Sequence, residues 1–167
     1  MPLFTPKFET LRDLYLDELR DLYNAENQLL DALPAMAEAA DQPELKAAFH
    51  EHHAETKGHV ARLEQIFKEL NEDPKGETCE AMKGLVKESE SYIKAKGDQA
   101  VINAGLIGAA QRVEHYEMAG YGTARSLATQ LGQTAAATML QETLNEEKEA
   151  DKKLNDIALS KVNVKAS

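Results

Sequence analysis

PELKAAFHEHHAETKGHVARLEQIFKELN, residues 43–71, carries the cleanest pattern in the chain. Leu45, Phe49, His52, Thr56, His59, Leu63, Ile66 and Leu70 recur at alternating spacings of four and three, the signature of a helical seam. The two ends of the seam are apolar and its middle is polar. A core can take His and Thr at mid-length only if neighbouring elements supply polar partners at the same depth. The stretches on either side must therefore be read for matching polar positions.

Upstream, Leu11, Leu14, Leu22, Ala25, Leu29, Leu33 and Met36 keep helical spacing, which predicts a helix over about 8–40. Pro34 falls inside it and predicts a bend or slack turn near Asn27 to Leu30, because proline removes an amide donor and crowds the preceding turn. Asp41-Gln42-Pro43 is a short link, with Pro43 at the first position of the helix spanning 43–71. Downstream, Asp73-Pro74-Lys75-Gly76 breaks the pattern, and a weakly amphipathic segment predicts a short helix over 78–95. A third long helix, over 98–130, follows the row Ile102, Leu106, Ala109, Val113, Tyr116 and Gly120. Its many glycines and alanines predict close approach by its neighbours, and Leu131-Gly132 ends it. The fourth, over 133–160, uses Ala136, Leu140, Thr143, Glu147, Ala150, Leu154 and Ile157, and the last six residues are expected to fray.

The links between long helices are short, long and short. Short links make antiparallel pairs, and the long one can return along the bundle. The expected fold is an all-α, ferritin-like four-helix bundle with one long crossover containing a short extra helix, a single domain over 1–167.

Composition agrees with this. Aromatic residues make up only 5% of the chain, Trp is absent, and 43% of residues are apolar. The formal charge of −10 opposes phosphate backbones and anionic lipids, so neither nucleic acid nor membrane is an expected partner. Cys79 is the single cysteine and allows no internal disulfide. Met1 to Lys7 lacks the charge-then-apolar pattern of a secretion signal, and a cytoplasmic location is expected.

Every long helix carries acids at the depth of the polar seam. The first offers Glu26, with Glu18 two turns earlier as an outer partner or end-of-core residue. The second offers His52, Glu55 and His59, the third Glu114 and Glu117, and the fourth Glu146, Glu147 and Asp151. Overlaying the seams of the two halves puts Glu26 level with Glu117 and Glu55 level with Glu146. One buried carboxylate costs several kcal/mol unless a cation or hydrogen bonds compensate it. Two divalent ions would bring four positive charges against five or six of these carboxylates, and a buried network with Arg62, Arg112 or Lys148 is the competing reading. His50, His53 and His115 read as surface residues, and Cys79 as ordinary packing.

At Tyr23 to Leu29, His52 to Thr56, Gln111 to Glu117, Tyr121 to Thr123 and Glu142 to Lys148, the chain resembles the YciF/YciE group of bacterial stress-associated ferritin-like proteins, from about Leu11 to Ala158. The resemblance implies a rubrerythrin-like or ferritin-like bundle, often dimeric, with a di-iron site and no established substrate. It carries over Glu26, His52, Glu55, Glu114, Glu117 and the Glu146/Glu147 pair, but not His59. Ferritins proper place His three residues after the acid of the second helix, where this chain has Gly58.

Oxygen ligands with one or two imidazoles and no thiolate suit iron, or manganese as the alternative, better than structural zinc. Glu55 and Glu146 or Glu147 are expected to bridge two metal ions, Glu26 and Glu117 to cap them, and Glu114 and His52 to complete the shell. The function expected is that of a stress-response oxidase, ferroxidase or peroxide scavenger, as a homodimer. The competing class is a non-catalytic metal-binding or helical dimerisation module that recruits a protein partner. An iron-storing cage would need a larger assembly.

Overall fold

The computed structural model describes residues 7–76 and 78–166; the sequence reading of Met1 to Pro6 lies outside them. Among the described residues there are five α-helices and no strand: α1 Leu11–Ala39, α2 Pro43–Leu70, α3 Glu80–Ile93, α4 Gln99–Gln130 and α5 Thr134–Ile157. No helix among them is long and apolar enough to cross a membrane.

Local chemistry sets the ends. Thr10 caps α1 in a capping box with Asp13, which delays the start of the helix to Leu11 and leaves Leu11 itself 49% exposed. Pro43 opens α2, where Gln42 accepts from the Leu45 amide, and Asn71 closes it in the left-handed region at φ 55°. Asp98 caps α4 by accepting from the amides of Ala100 and Val101, and Gly132 takes φ +72° just beyond its end. The helix α1 carries through Pro34 unbroken: Pro34 faces solvent while Leu33, Met36 and Ala37 anchor the turn in the core.

Side-chain bonds between helices fix the directions. Asn103 at the start of α4 donates to Asp41 beyond the end of α1, and Gln99 donates to the Ala39 carbonyl. Arg62 of α2 reaches Thr143 and Glu146 of α5, while Glu51 pairs with Lys153. The helices α2 and α4 therefore run parallel, each antiparallel to α1 and α5, with α3 packed on α1 and α4 as the crossover.

Close packing on α4 occurs at two of its glycines. A Cβ at Gly105 would lie 2.3 Å from the Tyr92 ring of α3, and one at Gly120 would lie 2.8 Å from Leu22 of α1. The buried face of α4 also turns along its length. Beyond Val113 it passes to Tyr121, Ala124 and Ala128, and Tyr116 and Gly120 are only half-buried.

The carboxyl-terminal segment departs from the expected fraying. A π-helical turn, Ala158–Val162, continues α5, and Val162 is 1% exposed in the core.

The apolar core is two clusters. One runs from Ala25 and Leu29 to Leu154 and Ile157; the other runs from Leu19 and Leu22 to Leu140 and Leu144. A polar layer lies between them.

Candidate metal centre

Four helices contribute to that layer. Glu26, His52, Thr56, His59, Glu114, Glu117, Thr143 and Glu147 are all buried, and the four glutamates are at most 2% exposed. The seam of α2 puts His52, Thr56 and His59 on one face, and Thr56 returns its hydroxyl to the His52 carbonyl at 2.9 Å. On α4, Glu114 and Glu117 are one turn apart, and Tyr121 follows one turn later.

Two sets of ligand atoms each converge within 4.8 Å: one from His52, Glu114, Glu117 and Glu147, the other from Glu26, His59 and Glu147. Glu147 belongs to both. His59 Nδ1 lies 3.2 Å from Glu26 Oε1 and 3.0 Å from Glu147 Oε1, and His52 Nε2 lies 3.4 Å from Glu114 Oε1. These are close approaches without hydrogen-bond alignment. Both oxygens of Glu117 and of Glu147, one oxygen each of Glu26 and Glu114, and one nitrogen of each histidine have no hydrogen-bond partner.

Buried polar atoms are almost always satisfied, so eight orphaned atoms in one layer mark a place that could hold a metal ion. Four carboxylates match the charge of two divalent cations, and O and N donors without thiolate suit a hard or borderline ion. The residues fit the group. The guanidinium network reaches only the rim of the layer: Arg62 pairs with Glu146 at 2.5 Å and with Glu142, while Arg112 and Lys148 are exposed.

Proton equilibria show the same imbalance. Burial pushes Glu114 and Glu117 well above the ordinary carboxylate range, and Glu26 is raised for the same reason. For Glu147, burial is outweighed by His59 and His52, which hold its carboxyl below the ordinary value. Burial disfavours the charged imidazoles too, but Glu114 and Glu55 raise His52 to about 9, and Glu147 and Glu26 raise His59 to about 11.

The other expected residues lie outside the convergent sets. Glu55 has its side chain 37% exposed and touches the layer only through His52 Nδ1, 3.3 Å from its Oε2. Glu146 is 34% exposed, bonded to His59 Nε2 at 3.0 Å and held by Arg62. The seam overlay put these two level with one another, but the helical twist turns both to the rim of the layer. Asp151 faces α4, where it accepts from Gln111 at 3.1 Å and lies 3.4 Å from His115. It falls one turn past Glu147, where the layer has already ended. Glu18 is half-buried, its carboxyl raised by burial and by Asp21 and Asp17.

From the sequence Tyr121 has no role, Arg62 only one in a competing buried network, and Cys79 only packing. Tyr121 is fully buried and donates its hydroxyl to Glu26 Oε1. Arg62 fixes Glu146 and Thr143. Cys79 does more than pack: it caps α3 and its sulfur lies 3.1 Å from the hydroxyl of Tyr116, which donates to Asp21. The four-residue step from Glu117 to Tyr121 is the signal that could have found the first.

The family described as Domain of unknown function (DUF892) matches residues 10–167. Protein YciF of Escherichia coli is 45% identical over 159 residues, 95% of this chain and 96% of its own. The crystal structure described as that of the E. coli stress protein YciF matches with a TM-score of 0.90 at 44% identity, covering 93% of this chain and 99% of that one. YcfI from Rhodopseudomonas palustris gives 0.87 at 41% identity over 92% and 98% of the two chains. A Xanthomonas campestris protein at 23% identity and a TM-score of 0.70, over 89% and 90%, shares the fold.

Proposed function

This chain belongs to the DUF892 family, and from that premise we propose that it is a stress-response protein whose bundle holds two divalent metal ions, iron first and manganese as the alternative. The observation that carries the reading is the set of orphaned carboxylate and imidazole atoms converging from four helices on Glu147. The stress role follows the description of the E. coli relative.

In this reading Glu147 would be shared by the two positions, with His52, Glu114 and Glu117 holding one ion and Glu26 and His59 the other. A redox-active pair bound there supplies two-electron chemistry toward oxygen or peroxide, as an oxidase, ferroxidase or peroxide scavenger. The chain's own residues prepare the site. Tyr121 fixes the orientation of Glu26 through its hydroxyl, and Arg62 does the same for Glu146, which in turn holds His59 Nε2. The apolar clusters above and below keep bulk water from the layer, which strengthens each charge interaction inside it.

Metal analysis of protein purified without chelators, followed by oxygen uptake of the iron-loaded form, tests this. Two ions per chain and oxygen uptake that disappears in Glu117→Ala support it. Metal retained without turnover leaves the non-catalytic metal-binding module, and no metal under replete conditions removes both of these and leaves the helical dimerisation module. A homodimer is part of the proposal; light scattering that gives a monomer ends that part, and a large assembly revives the storage cage.

A further inference from the structure

A groove of about 430 Å³ opens between α2 and α5 and reaches the polar layer, with His52 and Glu114 at its floor. These side chains are 6% and 2% exposed, and His52 Nε2 and Glu114 Oε2 have no hydrogen-bond partner. Phe49, Leu154 and Ile157 contribute apolar walls. At the rim, Lys153 pairs with Glu51, Lys161 with Glu44 and Lys152 with Asp156. Each lysine of the lining is thus matched by an acid, and Glu55 and Glu149 are left as carboxylates beyond those pairs.

A cleft with surplus charge of one sign and low-dielectric walls focuses its field on the floor. Here the surplus is negative even with His52 counted as a cation, because Glu55 and Glu149 both stand against it, so the groove attracts cations and repels anions. The His59 side of the layer is different: Arg62 engages both oxygens of Glu146, which leaves that rim carboxylate no free oxygen to offer an approaching cation. Glu55 links mouth to floor, half in solvent and 3.3 Å from His52 Nδ1.

We propose that this groove is the entry route for divalent cations, and that Glu55 takes the ion at the mouth and passes it to His52 and Glu114. The inference rests on the metal-binding reading above and adds an order to it: the position of His52, Glu114, Glu117 and Glu147 fills first, and that of Glu26 and His59 fills through it. Glu55 is in this sense a transfer carboxylate and not a resident ligand.

Metal-free protein mixed with Co²⁺ alone in a stopped-flow instrument, read by ligand-field absorption, gives the loading rate without any catalytic turnover; equilibrium dialysis gives the final occupancy. Glu55→Gln is expected to load roughly tenfold more slowly at low ionic strength, with a weaker salt dependence and unchanged final occupancy. Ala150→Phe, which narrows the groove, slows loading in the same way. Glu69→Gln, exposed at the far end of α2, loads like the parent. Parent rates in both groove variants overturn the route while leaving the metal reading intact. Lost occupancy in Glu55→Gln makes Glu55 a ligand and overturns its transfer role, and a parent that takes up no Co²⁺ overturns the metal reading itself.

Discussion

His59 Nδ1 and Glu147 Oε1 stand 3.0 Å apart on antiparallel helices, both side chains fully buried, and the carboxylate of the pair is the one common to both convergent sets of ligand atoms. Glu147 is thereby the residue whose loss should cost most. Glu147→Ala is expected to abolish binding at both positions, whereas His59→Ala keeps the ion held by His52, Glu114 and Glu117. Metal content after equilibrium dialysis checks this, and equal losses in the two variants would contradict a bridging Glu147.

Metal affinity should rise steeply with pH. Without a cation, burial keeps Glu114 and Glu117 protonated well above the usual carboxylate range, and carboxylate neighbours keep His52 and His59 protonated up to about 9 and about 11. Each of these groups must shed its proton to ligate, so binding releases protons and acid competes with metal. Affinity for Mn²⁺ should fall about tenfold per pH unit for each proton displaced as pH drops from about 8 to 6. Calorimetry in buffers of different ionisation enthalpy counts the protons; affinity independent of pH would mean that the layer holds none.

Most of this layer was legible in the sequence because helical periodicity fixes depth. Glu26, His52, His59, Glu114, Glu117 and Glu147 all fall on or beside an apolar row, and the structure buries all six. Periodicity fixes azimuth less well. Glu55 and Glu146 sit one position off the seam, and the row alone does not say whether such a residue turns inward or to the rim. Tyr121 escaped notice because the buried face of α4 rotates beyond Val113, so a row extrapolated through Tyr116 and Gly120 drifts off the core. The cap at Thr10 is a local pattern, with Asp13 three residues on, that the extrapolated apolar row overran, whereas the packed turn at Val162 depends on tertiary contacts that no local pattern encodes.

The glycines separate propensity from packing. Gly58 in α2 has nothing within 4 Å of a built Cβ, so Gly58→Ala should stabilise by about 0.5–1 kcal/mol through helix propensity. At Gly105 the same change drives a methyl into the Tyr92 ring, and overpacking of about 1–3 kcal/mol outweighs the propensity gain. Urea denaturation of the two variants should move in opposite directions. Stabilisation by Gly105→Ala would mean that α3 does not press on α4 at this point.

Glu117 provides the sharpest test of whether the acids are there for a cation or for the fold. Both its oxygens lack hydrogen-bond partners, and burial together with Glu26 and Glu147 pushes its carboxyl upward, so in the metal-free chain it is a cost. Replacing a buried, protonated carboxyl that has no hydrogen-bond partner with an apolar side chain of similar volume removes a desolvation cost of about 1–3 kcal/mol. Glu117→Met should therefore raise the melting temperature of chelator-treated protein, by roughly 2–4 °C for each kcal/mol gained. With metal the order reverses, because the parent gains about 2.7 kcal/mol at a free ion concentration one hundred times its Kd and the variant loses a ligand. If Glu117→Met melts below the parent even in chelator, Glu117 supports the fold through a partner of its own, and the cation would no longer be needed to explain why an acid is buried there.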